Sequence, residues 1–123
     1  MGSLDIAKEG YSAFSRGDMA KFMSLCDDNI EWIYYGSVPW KGDFRGRDEV
    51  MRFFGILAGA VEIRAFGPDE FVASEDDVAV TGRTSAQIRS SGGTFENRWA
   101  HFIKVRDGKW ARFIGYDTTP LSA

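Results

Sequence analysis

The stretch HFIKVRDGKWARFIGYD, residues 101–117, decides the fold of this chain. Two runs rich in β-branched and aromatic residues flank Asp107-Gly108, a dipeptide that accepts the positive φ angles of a tight turn. The stretch is therefore predicted to be a β-hairpin. Its second strand ends in Asp117, an acidic residue among apolar neighbours. A carboxylate in that setting is either held by structural hydrogen bonds or used for chemistry.

Three amphipathic helices are predicted in the N-terminal half, from apolar residues spaced three or four apart. The first helix follows Ser3 and ends at Gly17, the second follows the capping residue Asp18, and the third follows Gly46. The apolar stripes are, in order, Leu4-Ala7-Tyr11-Phe14, Met19-Phe22-Cys26 and Val50-Phe53-Phe54-Leu57.

The rest of the chain has the composition of β-strands. Residues 29–35 form the first predicted strand, and a loop containing Gly36, Pro39 and Gly42 follows it. Later strands are predicted at residues 61–66, 70–74, 78–89, 94–106 and 109–119, with turns at 67–68, 76–77, 92–93 and 107–108. Helices followed by a long antiparallel meander indicate one α+β domain over residues 1–123, with the helices on one sheet face.

Composition and motifs argue against several classes of protein. The net charge of −3 and the pI of about 5.1 disfavour nucleic acid and anionic membranes as partners. No apolar run is long enough to span a membrane, and the start of the chain lacks a signal-peptide pattern, so a cytoplasmic location is expected. The single histidine and single cysteine, without HExxH or CxxC spacing, predict no metal site. Nucleotide-binding loops are also missing from the sequence, so no cofactor is implied. Cys26 is expected to be a buried small hydrophobe.

Four motifs, in their order along the chain, resemble the nuclear transport factor 2-like superfamily, and within it the SnoaL-like or ketosteroid-isomerase-like domains. The motifs are YSAFSRGD (11–18), DDNIEW (27–32), FRGRDEVMRFF (44–54) and HFIKVRDGKW (101–110). The resemblance implies a cone, in which a curved antiparallel sheet wraps around three helices and leaves an apolar pocket on its concave side. It does not imply one function, because this fold hosts isomerases, cyclases, hydrolases, dehydratases and non-catalytic binders.

The residues of ketosteroid isomerase are mostly missing when they are carried over by position. That enzyme uses an Asp base and an oxyanion hole of Tyr and protonated Asp. Its tyrosine falls near Tyr11, but its base falls near Ile33 and its protonated acid on Ala100. Steroid isomerisation by that route is therefore not expected. SnoaL-like cyclases use an acidic residue late in the chain, which makes Asp117 the candidate acid or base.

Strand alternation, combined with the resemblance, assigns the side chains of the hairpin to two faces. The expected pocket face carries Ala100, Phe102, Phe113, Gly115 and Asp117. The expected convex face carries Trp99, His101, Ile103, Ile114 and Tyr116. Since the convex set would be a large exposed aromatic patch, a homodimer through the convex sheet face is predicted. His101 is accordingly expected to have an interface or structural role.

Each candidate site residue has a structural alternative. Asp117 would instead anchor the end of its strand to Thr118, Thr119 or a backbone amide. Tyr11 either packs in the core with its hydroxyl satisfied or donates a hydrogen bond to a developing oxyanion. Trp40 either closes the pocket mouth as a lid or is an exposed ring pinned to the rim.

The remaining candidates are apolar or ambiguous in direction. Tyr34 and Tyr35 point to opposite sides of the first strand, and one of them is expected to reach the pocket. Phe54, Phe102 and Phe113 are expected to line it. The aromatic share of 15% supports such a pocket, because it exceeds what a small core needs.

The sequence thus predicts a pocket for a small hydrophobic molecule that carries a carbonyl. In the catalytic hypothesis, Asp117 shuttles a proton next to the carbonyl while Tyr11 or a first-strand tyrosine stabilises the oxyanion. This would be a cofactor-independent isomerase, cyclase or lyase. The alternatives are a non-catalytic binding or accessory domain, and a dimerisation module whose pocket is filled by side chains. An open pocket with Asp117 on its wall distinguishes the first hypothesis from the third, whereas buried partners that already satisfy Asp117 favour the alternatives.

Overall fold

The computed structural model describes residues 2–119, which form three helices and six strands. The helices are α1 (Ser3–Ser15), α2 (Met19–Ser24) and α3 (Arg47–Ala60). The strands are β1 (Cys26–Tyr35), β2 (Gly42–Arg45), β3 (Val61–Ser74), β4 (Asp77–Ile88), β5 (Thr94–Arg106) and β6 (Lys109–Asp117). Among residues 2–119, no helix combines the length and apolar character required to cross a membrane.

All six strands belong to one curved, unclosed sheet in the order β2-β1-β6-β5-β4-β3. Neighbouring strands are antiparallel except β1 and β6, which pair in parallel. The long connection that a parallel pair requires consists of β2, α3 and the strands β3 to β5. The helix α1 packs against β3 to β6, and α3 packs against β1 to β3. The predicted α+β architecture, with helices on one face of a curved sheet, is confirmed.

Several predicted boundaries differ from those in the structure by one to three residues, and three differences change the assigned elements. Cys26 begins β1 instead of continuing α2, although it is fully buried as expected. Residues 42–45, predicted as loop, form β2, which buries Phe44 opposite Trp32. The chain does not turn at Gly67-Pro68, because β3 continues through an irregularity in its pairing with β4. A proline is tolerated there since β3 is an edge strand, where a missing N–H costs least.

A β-bulge in the β5–β6 hairpin reverses the predicted orientation of β5. The turn at Asp107-Gly108 forms as expected and pairs Val105 with Trp110. Lys104 then pairs with Arg112, so that Ala111 is an extra residue on β6. Because side chains alternate with a period of two, one inserted residue turns every later partner to the opposite face.

The prediction that Phe102 and Ala100 line the pocket was therefore wrong. Phe102 lies on the convex face with 49% of its surface exposed, whereas Trp99 and His101 are buried on the concave face. The assignment for β6 was right: Phe113 is buried and Asp117 is directed to the same concave face. In the observed register, Trp99 lies opposite Asp117.

The same correction changes the convex surface. Trp99, His101 and Ile103 are buried inside the cone, so only Ile114 and Tyr116 remain from the patch predicted to form a dimer interface. The convex face instead exposes the rings of Tyr35, Phe102 and Tyr116. Tyr35 stacks on Tyr116 with ring centroids 5.1 Å apart, and Phe102 meets Tyr116 edge-on at 6.0 Å.

Candidate functional site

An apolar cavity of about 80 Å³ lies between the helices and the concave face of the sheet. Most of its wall consists of aromatic rings from all three helices and from β1, β3, β5 and β6. The wall also contains the polar side chains of Thr84, Asn97 and Asp117 and the imidazole of His101. Apolar walls with a few polar groups are the usual form of small-molecule sites.

Asp117 is held at the cavity wall by two hydrogen bonds. Its Oδ2 accepts from the hydroxyl of Tyr34 at 2.5 Å, and its Oδ1 accepts from the backbone amide of Thr119 at 2.8 Å. Burial raises the pKa of Tyr34 far above its ordinary value, and the neighbouring Asp117 carboxylate adds to this rise. The phenol therefore stays protonated and donates to the carboxylate. Each carboxylate oxygen keeps a lone pair for a further contact.

Gly115 makes the pairing of Tyr34 with Asp117 sterically feasible. Tyr34 lies beside Gly115 in the parallel pairing of β1 with β6. A Cβ atom at position 115 would stand 2.7 Å from two carbon atoms of the Tyr34 ring. With only a hydrogen there, the ring lies across Gly115 and its hydroxyl reaches Asp117, two residues further along β6. Tyr35 points to the convex face, so Tyr34 is the first-strand tyrosine that lines the cavity.

A second buried polar pair joins Tyr11 of α1 to His101 of β5. Their Oη and Nδ1 atoms are 2.6 Å apart. Burial lowers the pKa of His101 to about 3 and raises the pKa of Tyr11 well above its ordinary value, so both groups are neutral near pH 7. Because the phenol has no other acceptor within residues 2–119, we assign it as the donor to Nδ1. The imidazole proton is then on Nε2.

Tyr11 therefore lines the cavity as predicted, but its hydroxyl is already engaged. The hydroxyl of Tyr11 is hydrogen-bonded to His101, whose ring also lines the cavity. Trp99 stacks on the imidazole with ring centroids 4.0 Å apart, which fixes the plane of the His101 ring.

Two further polar atoms of the wall have no hydrogen-bond partner within residues 2–119: Nε1 of Trp32 and Oδ1 of Asn97. Asn97 donates through Nδ2 to the hydroxyl of Thr119, which joins it to the residues around Asp117. Neither Trp32 nor Asn97 was among the candidate site residues from the sequence. Asn97 was missed because its inward direction depends on the bulge that reverses β5.

The apolar candidates are mostly in place. Phe113 is buried and stacks on Trp32 with ring centroids 3.8 Å apart, and Phe54 is a half-buried part of the wall. Trp40 is 3% exposed and packs edge-on to Tyr34, so it is a buried wall residue and not an exposed ring at the rim.

The two positions carried over from ketosteroid isomerase do not face the cavity. Ile33 pairs with the convex-face residue Ile114, and Ala100 pairs with Tyr116. The inward neighbours of these positions include Tyr34 and His101, which are polar but not acidic. Within residues 2–119, no cluster of three or more His, Cys, Asp or Glu side chains is arranged to hold a metal ion.

Comparison with known proteins agrees with this architecture. The model of the SnoaL-like domain family matches residues 7–113. The crystal structure of an NTF2-like protein from Burkholderia thailandensis superposes with a TM-score of 0.90 at 30% identity, covering 96% of this chain and 92% of that chain. An NTF2-like protein from Burkholderia xenovorans gives a TM-score of 0.85 at 32% identity, covering 95% of this chain and 89% of that chain. An uncharacterised protein of Mycobacterium tuberculosis is 26% identical over 119 residues, which are 97% of this chain and 91% of that protein.

Proposed function

Because the chain belongs to the SnoaL-like domain family of the nuclear transport factor 2-like superfamily, we propose that it binds a small hydrophobic carbonyl compound and moves a proton next to the carbonyl. The observation that carries this proposal is the position of Asp117. Among residues 2–119 it is the one charged side chain on the wall of an otherwise neutral, mainly aromatic cavity. A carboxylate in such surroundings is a suitable general base for a weakly acidic C–H bond.

The proposed step needs only groups of this chain. Asp117 removes a proton from the carbon next to the carbonyl, so that the C–H bond breaks, an O–H bond forms and the electron pair moves to the carbonyl oxygen. The protonated Asp117 then returns the proton to a carbon of the same molecule. Tyr34 holds the carboxylate in position by its hydrogen bond. Isomerisation, cyclisation and dehydration can all begin with this transfer.

The negative charge that develops on the carbonyl oxygen requires a nearby donor. Tyr11 supplies it indirectly in this proposal, by fixing His101 in the tautomer whose Nε2 carries the proton. A neutral imidazole is then the group that donates to the oxyanion. Burial keeps His101 neutral, with a pKa lowered to about 3, so this donor is the same across the physiological pH range.

The test is proton exchange catalysed by the purified protein in D₂O, with 2-tetralone as a flat ketone probe followed by NMR. The wild-type protein should accelerate deuterium incorporation next to the carbonyl above the buffer rate. Asp117→Asn, which is nearly isosteric, should reduce the acceleration by roughly 10²–10⁴-fold, the usual effect of losing a general base.

The matched control is Asp107→Asn, in the exposed turn of the same hairpin. Asn tolerates the positive φ of 53° at that position. This variant should exchange deuterium at the wild-type rate. A folded Asp117→Asn protein that retains wild-type exchange would contradict the catalytic proposal.

A non-catalytic binding domain is the second candidate, and a specific observation favours it. Both carboxylate oxygens of Asp117 already have protein partners, Tyr34 and the amide of Thr119. In this case Asp117 anchors the end of β6, and the wild-type protein binds the ketone without accelerating exchange. Asp117→Asn would then lower the melting temperature and leave exchange at the buffer rate in both proteins.

The proposed partners are this small molecule and a second copy of the chain on the convex sheet face. Nucleic acid and membranes are not among the proposed partners, given the net charge of −3. The cytoplasm is the proposed compartment.

A further inference from the structure

Two wall atoms without partners indicate how a ligand is oriented in the cavity. The indole Nε1 of Trp32 and the amide Oδ1 of Asn97 are buried and form no hydrogen bond within residues 2–119. The two residues are only 3% and 9% exposed, and both line the cavity. A buried donor or acceptor without a partner destabilises a folded protein and is uncommon.

Two of the three other indoles on the cavity wall, those of Trp99 and Trp110, have protein acceptors. Trp99 donates to the hydroxyl of Thr84 at 2.9 Å, and Trp110 donates to the carbonyl of Ile6 at 3.1 Å. Trp32 packs between Phe22, Phe53 and Phe113, whose rings offer no acceptor of comparable strength. The N–H of Trp32 has no acceptor among residues 2–119, and Trp32 lines the cavity.

We propose that Trp32 and Asn97 are the specificity-determining contacts of the cavity. The indole of Trp32 donates to an oxygen of the ligand, and the carbonyl of Asn97 accepts from a hydroxyl or N–H of the same molecule. This inference rests on the proposed function only in placing a ligand in the cavity, and it does not require turnover.

The two contacts lie at different levels of the sheet. Trp32 on β1 pairs with Phe113 on β6. Asn97 is on β5, two residues before Trp99, which pairs with Asp117 on β6. Phe113 pairs with Ile103, which is six residues from Asn97 on β5, so the two contacts are at separate levels of the curved sheet. One small polar group cannot serve both atoms. Asp117 lies between the two levels, which places the proposed proton transfer between the two ends of the ligand.

The charges of the wall define the class of ligand further. Within the described residues, the wall carries the Asp117 carboxylate and no lysine or arginine. A carboxylate or phosphate on the ligand would be desolvated without a counter-ion and repelled by Asp117. The ligand is therefore a neutral, flat ring compound with a carbonyl-type acceptor and a separate hydroxyl or N–H donor.

The test compares three probes of similar shape: 6-hydroxy-2-tetralone, 2-tetralone and the hydrocarbon tetralin, with affinities measured by calorimetry. The wild-type protein should bind them in that order of decreasing affinity. Trp32→Phe should reduce the ratio of affinities for 2-tetralone and tetralin by about tenfold. Asn97→Leu should reduce the ratio of affinities for 6-hydroxy-2-tetralone and 2-tetralone by about tenfold.

Trp110→Phe is the matched control for Trp32→Phe, because it removes an indole N–H that already has a protein partner. It should lower the melting temperature of the ligand-free protein, because the carbonyl of Ile6 loses its donor. Trp32→Phe should keep or raise that temperature, since it removes an unpaired donor. A structural role for Trp32 would show the opposite, with a lower melting temperature and an equal loss for all three probes.

Absence of binding by all three probes, or equal affinity of the wild-type protein for them, would overturn the inference. The outcome is separable from that of the proposed function, because Asp117→Asn should retain the order of the probes even where proton exchange is lost. Ordered binding without exchange would leave these contacts in place and remove only the catalytic step.

Discussion

Gly115 is the residue on which the geometry of Asp117 depends, because the Tyr34 ring occupies the space that a side chain would take. A Cβ at position 115 would also stand 3.0 Å from the Phe113 ring. Gly115→Ala should therefore move Tyr34 away from Asp117, lower the melting temperature and reduce ketone binding. Gly55→Ala, in α3 with open space around the site, is the control. It should raise stability by about 0.5–1 kcal/mol, as expected for alanine in a helix. Equal melting temperatures for the two variants would show that Tyr34 can accommodate the methyl group.

His101 gives the folded protein a pH dependence that one substitution can isolate, since it is the only histidine. Burial lowers its pKa from an ordinary 6.5 to about 3 in the folded state. At pH values between these two pKa values, His101 is protonated in the unfolded chain but not in the folded protein. The free energy of unfolding therefore falls as the pH decreases below about 6.5. The slope should approach about 1.4 kcal/mol per pH unit.

The measurement is urea unfolding between pH 7.5 and 5. His101→Gln should be less stable than the wild-type protein at pH 7.5, because the contact with Tyr11 is altered, but its stability should change little over this range. A wild-type protein whose stability is constant between pH 6.5 and 5 would show that His101 is protonated in the folded state.

At the scale of elements, the β5–β6 hairpin determines which residues face the cavity. Its strands and its turn at Asp107-Gly108 were predictable from residue type, but the inserted Ala111 was not, because alanine carries no bulge signal. In the structure, the bulge accounts for the spacing of Trp110 and Phe113. Both are buried although they are three residues apart, which a regular strand with a period of two does not allow. The outward prediction for Trp99 and His101, and the omission of Asn97, both follow from this one residue.

Deletion of Ala111 tests the bulge directly. A regular hairpin would then form, and either β5 or β6 would have to turn its buried aromatic residues to solvent. The variant should lose cooperative thermal unfolding and the near-UV circular dichroism of its packed aromatic rings. Deletion of Ser91, in the exposed connection between β4 and β5, should be tolerated. A cooperatively folded variant without Ala111 would show that the hairpin register is not fixed by the bulge.

At the scale of the whole molecule, the order of helices and strands was enough to predict the α+β cone, because each element has a clear apolar period and turn residues separate most of them. The site was only partly predictable. Asp117, Tyr11, Phe54 and Phe113 are on the cavity wall as expected, but their hydrogen-bond partners come from distant parts of the chain. The pairing of Tyr34 with Asp117 depends on the parallel contact of β1 with β6, which joins residues 83 positions apart. No local pattern in the sequence encodes that register.

The convex face carries the last prediction, which concerns assembly. Tyr35, Phe102 and Tyr116 expose 50%, 49% and 45% of their surfaces, and the ring of Tyr116 packs against the other two. Contiguous exposed aromatic surface is uncommon on soluble monomers and favours association.

We expect a homodimer through this face, with twice the 13.8 kDa mass of the chain by light scattering at micromolar concentration. Phe102→Lys combined with Tyr116→Lys should give a monomer that still binds 2-tetralone, because neither side chain lines the cavity. Met51→Lys, at an exposed position of α3, should leave the dimer intact. A monomeric wild-type protein, or a dimer that persists in the double variant, would assign the exposed rings a role other than self-association.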